Sequence, residues 1–299
     1  MTQARQKSGI IPICGRPNVG KSTLTNALVG EKITIVSPRP QTTRNRICAI
    51  LNRGNTQFVF VDTPGLHKAR TRLGDYMVDV VRRSVADVDA VCLLVEPVAR
   101  IGGAEQELIE RIKQLRVPAV LVINKMDTVQ KEKLLAVMAT YGAAHDWEAI
   151  LPISALTGEG VEELLSLLEQ WIPEGPQLFP DDMVTDQPER QVMAEIVREK
   201  LLHNLEQEIP HGTAVEVTKF SQRDNDIIDC HVTIYCEKDS HKGMIIGKKG
   251  AMLKKVSTQA REDMEAFMGA RVYLESWVKV KENWRDNPNA IANFGYTKN

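Results

Sequence analysis

The sequence predicts two α/β domains in tandem: a doubly wound, mostly parallel sheet over residues 1–174, and a smaller α+β domain over residues 189–299, joined by a linker at 175–188. Three observations predict this. Short apolar runs alternate with helical segments through residues 9–171, as at 90–95, 105–115 and 117–123, which is the rhythm of βαβ units. From 172 to 188 four prolines and several acids interrupt all periodicity. Beyond that stretch the pattern changes to helix, two alternating strands, two short helical pieces and a last strand.

The first element is an apolar run at Ile10, Ile11 and Ile13, in which Pro12 removes a ladder donor and is expected to end the strand early. It leads into Gly15-Arg16-Pro17-Asn18-Val19-Gly20-Lys21-Ser22, a G-x-x-x-x-G-K-S loop. That spacing lets backbone N–H groups wrap a polyphosphate, aims Lys21 at the β- and γ-phosphates and leaves the Ser22 hydroxyl for Mg²⁺. Residues 23–29, beginning with Thr23, open a helix whose positive dipole end faces the phosphates. The chain is therefore expected to bind a nucleoside triphosphate.

Phe58-Val59-Phe60-Val61 reads as a strand ending in Asp62-Thr63-Pro64-Gly65, where Asp62 reaches Mg²⁺ through water and the Gly65 N–H meets a γ-phosphate. Residues 117–123 read as a buried parallel strand whose carboxyl end carries Asn124-Lys125-Met126-Asp127. An aspartate there accepts both the N1–H and the 2-amino group of guanine, whereas adenine would leave a buried carboxylate unpaired. GTP is thus expected over ATP. Ile150-Leu151-Pro152-Ile153 precedes Ser154-Ala155-Leu156, whose backbone is placed to close over the guanine carbonyl. An amphipathic helix at 161–168, after the turn at 157–160, closes the first domain.

In the second domain, residues 189–208 carry Val192, Ile196, Leu201, Leu202 and Leu205 near helical spacing. Residues 213–220 and 227–236 alternate like strands around the turn Arg223-Asp224-Asn225-Asp226, and residues 271–280 form a last strand. The order is α-β-β-α-α-β, with Gly247-Lys248-Lys249-Gly250 between the two short helices. A G-x-x-G in that setting marks a KH module of type II, whose loop clamps a single-stranded nucleic-acid backbone. The domain has 17 basic and 17 acidic residues, but Lys242, Lys248, Lys249, Lys254, Lys255 and Arg261 fall in a stretch without acids. Lys242, Gly243, Ile246, Gly247, Lys248, Lys249, Gly250 and Lys254 are the expected RNA contacts, with Met244, Ile245, Ile246 and Leu253 as an apolar floor beneath unstacked bases. RNA is preferred, though the motif admits single-stranded DNA.

Composition sets the class. At 299 residues, 43% hydrophobic and 26% charged, the chain is ordinary for a soluble two-domain protein. The five cysteines are odd in number and contain no C-x-x-C pair, which argues against a disulfide framework or a zinc site and for a reducing compartment. No apolar stretch approaches the roughly 18 residues of a membrane span, and residues 1–8 lack a signal-peptide core, so a cytoplasmic monomer is expected.

Together the halves resemble the Era family of GTPases over residues 10–284, nearly the full length. The resemblance rests on residues 15–22, Gln41-Thr42-Thr43-Arg44, Asp62-Thr63-Pro64-Gly65-Leu66-His67, residues 124–127, residues 243–250 and Trp277-Val278-Lys279-Val280-Lys281. It implies binding of the 3′ end of 16S rRNA, a part in maturation of the 30S subunit and peripheral association with the inner membrane. It also assigns Thr43 to Mg²⁺ and the γ-phosphate, with Thr42 the alternative, so that loss of the γ-phosphate releases that loop and residues 62–67. Lys32, Arg39, Arg44, Arg46 and Arg53, with no acid among them, are read as a solvated face rather than an RNA contact.

Where Ras-like enzymes carry the glutamine that orients the attacking water, this chain has Leu66, whose side chain can neither donate nor accept a hydrogen bond. Slow intrinsic turnover follows. Lys21, Thr43, Gly65 and Asn18 are the expected catalytic groups, Asn18 because it resembles the P-loop asparagine that ligates a potassium ion in related GTPases. Three functional classes are compatible with the residues: a slow GTPase switch on ribosomal RNA, a passive RNA-binding scaffold with a structural nucleotide site, and the GTPase component of an RNA-modifying machine.

Overall fold

A computed structural model describes residues 6–66, 69, 71–84, 87–206, 208–223 and 226–296; His67 and the turn residues Asp224 and Asn225 lie outside them. Contacts divide the chain into two compact units, Met1–Thr34 with Thr43–Lys68 and Met77–Asp186, and Ile35–Thr42 with Ala69–Tyr76 and Gln187–Asn299.

The first unit is built from β1 (Lys7–Cys14), α1 (Lys21–Val29), β2 (Ile47–Arg53), β3 (Thr56–Asp62), the greater part of α2 (Arg72–Ser84), β4 (Val91–Val95), α3 (Gly103–Leu115), β5 (Ala119–Ile123), α4 (Lys131–Gly142), β6 (Ala149–Pro152) and α5 (Val161–Leu168). Its six strands run in the order β2-β3-β1-β4-β5-β6, parallel except for β2. The continuous apolar runs reflect burial on both faces. Cys92 and Leu94 pack with Leu24 and Leu28 of α1 and Leu164 and Leu168 of α5. Val91, Leu93 and Val95 pack with Leu108, Ile109 and Ile112 of α3 and Val137 of α4.

Pro12 does not end β1, which continues to Cys14 and pairs with β3 from Lys7 to Ile13. The reason is directional. The Ile10 N–H and carbonyl both turn toward Asp89, so alternation aims the donor missing at Pro12 to that same side, where pairing with β4 begins only at Ile13. The β3 ladder is untouched.

The proline-rich stretch after α5 lies along the open side of β2. The Ile50 N–H donates to the Val184 carbonyl (2.9 Å), Ala49 bridges Thr185, and the Cys48 N–H donates to Asp186 Oδ1 (3.0 Å). Further back, Gln57 Oε1 accepts from the Leu178 and Phe179 N–H groups at 2.8 and 2.9 Å.

The second unit contains α6 (Glu189–Asn204), β7 (Ala214–Gln222), β8 (Ile228–Cys236), α7 (Asp239–Ile246), α8 (Ala251–Met268), β9 (Val272–Val280) and α9 (Pro288–Asn293). This is the expected α-β-β-α-α-β order with a short helix added. The sheet runs β7-β8-β9, antiparallel then parallel, with a bulge between Val217 and Lys219. One face packs with Val192, Ile196 and Leu201 of α6 and Val256, Ala260 and Met264 of α8. Within this unit α6 also holds residues 35–42: the Val36 N–H donates to Glu199 Oε1 (2.8 Å), Arg39 Nε donates to the Leu202 carbonyl (2.7 Å), and fully buried Arg198 donates to the Thr42 carbonyl.

Candidate functional sites

The loop between β1 and α1 is open toward an anion. No side chain caps α1 and its first turn has no acid, so its leading N–H groups and dipole are left for a ligand. Lys21 is buried, and its Nζ donates to the Arg16 carbonyl (2.8 Å) and the Gly15 carbonyl (3.2 Å). Burial pulls its ammonium down to about 8, with Asp62 opposing that drop. Polyphosphate oxygens are the charge this lysine is short of. Gly65 lies against the loop so closely that a Cβ would come 2.5 Å from the Pro17 nitrogen, and any larger residue would move the loop.

Three oxygens from separate segments converge at the start of α1. Ser22 Oγ donates to Asp62 Oδ2 (2.7 Å) and lies 2.8 Å from Thr43 Oγ1, which in turn reaches Asp62 Oδ2 at 3.3 Å. Asp62 is fully buried and its Oδ1 has no hydrogen-bond partner. Burial raises its carboxyl to about 6, against the opposing charge of Lys21 and the Ser22 and Thr43 hydroxyls. Two hydroxyls and an under-satisfied carboxylate form an all-oxygen donor set that fits Mg²⁺. Ser22, Thr43 and Asp62 would hold it, and its chemistry would be neutralisation of phosphate charge. Thr63, by contrast, spends its hydroxyl on the Ile13 carbonyl (2.9 Å) inside the fold.

The Asn124–Asp127 motif divides its labour. Asn124 Nδ2 donates to the Val19 carbonyl (2.8 Å) and its Oδ1 accepts from the Ala155 N–H (2.9 Å), tying the phosphate loop to residues 154–156. Lys125 Nζ donates to the Asn18 carbonyl (2.6 Å). Asp127, at the carboxyl end of β5, is exposed and available to a base. Ser154 is buried, whereas Leu156 stands 81% exposed and can cover a planar ligand.

Leu66 is buried among Val81, Val91 and Leu108, and its N–H donates to the Gly15 carbonyl (3.3 Å). Nothing at that position orients water. Asn18 is exposed, with φ 66.

In the second unit, Gly247, Lys249 and Gly250 all take positive φ, which turns the chain sharply between α7 and α8. Lys242, Lys248, Lys249, Lys254 and Lys255 form no ion pair among the described residues, while Arg261 is matched by Glu265 at 2.6 Å. Five lysines without an ion pair among the described residues thus fall on the turn and on the two helices it joins. One expectation fails here: Ile245 is fully buried in the core and offers nothing to a base, because only one face of α7 is free. Met244, also expected in that floor, is half-exposed. Sequence reasoning also missed Glu96 and Glu105, isolated acids that pair with Arg16. No spacing rule singles them out.

Among the described residues there is no cluster of histidine, cysteine and acidic side chains able to hold a metal, and no helix is long and apolar enough to cross a membrane. All five cysteines are buried and unpaired.

A 50S ribosome-binding GTPase family profile matches residues 10–125, and a KH-domain profile matches residues 208–285. GTPase Era of Ruminiclostridium cellulolyticum is 47% identical over 293 residues, 98% of each chain. GTPase Era of Clostridium kluyveri is 50% identical over 290 residues, 97% of this chain and 99% of that one. A crystal structure of Era in complex with MgGDPNP and nucleotides 1506–1542 of 16S ribosomal RNA superposes with a TM-score of 0.94 at 36% identity, covering 98% of this chain and 100% of the other. Full-length identity, both profiles and the two sites leave one assignment: the chain belongs to the Era family of GTPases.

Proposed function

We propose that the chain is a slow GTP-hydrolysing switch that binds the 3′ end of 16S rRNA through its Gly247–Gly250 clamp and assists maturation of the 30S subunit. Mg²⁺ and GTP would be held by residues 15–23, Thr43, 62–65, Asn124, Lys125, Asp127 and 154–156, and RNA by the lysines around the clamp. The observation that carries a switch, rather than a fixed nucleotide, is the position of Thr43. Its hydroxyl joins Ser22 and Asp62, while the peptide just before it, residues 35–42, is bound to α6 of the RNA-binding unit. An anchor that depends on the γ-phosphate thus adjoins a segment lodged elsewhere. The related structure holding MgGDPNP and 16S nucleotides supports the ligand pair. On this reading the chain acts as a cytoplasmic monomer, with any membrane association peripheral.

The test is the affinity for an oligonucleotide carrying the 16S 3′ end, measured with GDPNP and with GDP. A difference is expected. Equal affinities would favour the passive scaffold instead. Crosslinking in cells followed by sequencing of the attached RNA should recover the 16S 3′ end.

A further inference from the structure

Arg16 sits inside the phosphate loop, where a guanidinium would ordinarily be expected to reach for phosphate. It is turned away. Its Nε contacts Glu105 Oε1, and its Nη2 lies 3.8 Å from Glu96 Oε2. Glu105, on α3, has a side chain only 1% exposed, and Arg16 is its one cation among the described residues. A carboxylate buried that deeply is costly without its partner, so Glu105 fixes where the guanidinium lies.

Glu96 extends the connection to the guanine side. Its Oε1 accepts from Lys125 Nζ at 2.5 Å, and the same ammonium donates to the Asn18 carbonyl at 2.6 Å. The backbone of Arg16 meanwhile supplies the carbonyl that accepts Lys21 Nζ at 2.8 Å. One residue thus offers its main chain to the phosphate-binding lysine and its side chain to two acids, one of which also grips the guanine-side lysine.

We propose that Glu105 and Glu96 are positioning residues for the nucleotide: they hold the Arg16 guanidinium as a strut that fixes the phosphate loop and links it to the loop carrying Asp127. Neither acid touches the nucleotide, and Arg16 serves it through the backbone alone. This rests on reading residues 15–22 as the nucleotide cradle.

The competing explanation is that Glu105 merely caps α3, since its Oε2 accepts the Gly102 N–H at 2.9 Å. A double-mutant cycle separates the two, because a glutamine keeps the cap acceptor and loses the charge. Release of mant-GDP is followed in the full chain for Glu105→Gln, Arg16→Met and the double variant, alongside steady-state GTP hydrolysis. Each single change is expected to speed release roughly tenfold and to raise KM by a similar factor at unchanged kcat. The double variant should also be about tenfold faster, since one strut is lost only once. An effect near a hundredfold, the product of the singles, would overturn the strut, as would single variants that release at the wild-type rate. If Glu105→Gln fails to fold, Glu96→Gln reads the same cycle with Arg16→Met, its side chain being 31% exposed and off the α3 cap. There too, independent effects refute the proposal. Wild-type protein that binds no mant-GDP would instead bring down the nucleotide reading beneath it.

Discussion

Replacing Gly250 with aspartate separates RNA binding from folding. Gly250 has φ 79 and ψ 8, and a Cβ built there meets nothing within 4 Å, so only backbone strain opposes a side chain. A left-handed L-residue costs about 1–2 kcal/mol, and aspartate is among those that tolerate it best. For a domain of this size 1 kcal/mol lowers Tm by roughly 4–8 °C. The effect on RNA is larger. A carboxylate about 4 Å from a bound phosphate is repelled by about 1 kcal/mol at the dielectric of water and about 4 kcal/mol at an effective value of 20. Affinity for a single-stranded 16S 3′-end oligonucleotide should therefore fall between about 5-fold and about 1,000-fold. Gly247 is the contrasting control: with φ 73, its Cβ would lie 2.7 Å from Met252 Cβ and 2.9 Å from the Met252 nitrogen, so Gly247→Ala should damage the helix junction itself. Fluorescence anisotropy with labelled RNA, thermal melting and mant-GDP binding supply the three readouts. A Gly250→Asp protein that melts within a few degrees of wild type and still binds RNA at wild-type affinity would remove the clamp from the account.

Three further outcomes are expected. Asp127→Asn should lose guanine and gain xanthine nucleotides, each by roughly 100-fold in competition against mant-GTP, because the amide presents a donor where guanine also presents one; unchanged selectivity would show that another group reads the base. The Asp62 carboxyl, raised to about 6 by burial, must lose its proton to hold Mg²⁺. As pH falls through that value the proton competes with the metal, so Mg²⁺ affinity should drop about tenfold per unit below pH 6 and level off above it; calorimetric titration showing a flat profile from pH 5 to 7 would contradict this. With Leu66 buried and Asn18 exposed, hydrolysis should run faster in K⁺ than in Na⁺ at fixed Mg²⁺. Equal phosphate-release rates in the two salts would exclude a potassium role.

The sites were legible where function depends on consecutive residues. A phosphate loop works through backbone direction and a few fixed side chains, so residues 15–22 and 247–250 announce themselves in sequence. Partners far apart in the chain do not. Arg198 and Glu199 look like the polar face of an amphipathic helix, yet both are buried because residues 35–42 cover them. Trp284 is fully buried, donating Nε1–H to the Gly212 carbonyl at 2.9 Å and packing against Phe294 and Tyr296, in a tail whose short helices carry no periodicity to read. Pro12 misleads for the opposite reason: propensity does not say which side of the strand the missing donor faces, and here that side has no strand partner until Ile13.

The strip at residues 184–186 has a bearing on how the first half can be studied and how it is made. Strand β2 is the last in its sheet, and without that strip its amides at Cys48 and Ile50 would stand unpaired. Bare strand borders invite pairing with other copies. A fragment cut at residue 174, the end of the first domain as the sequence predicts it, would keep every nucleotide motif and still be prone to self-association; one ending after Asp186 would carry its own cover. During synthesis the same border stays open until those residues leave the ribosome, so the nucleotide-binding half becomes safe from its neighbours only once the chain has begun on the other half.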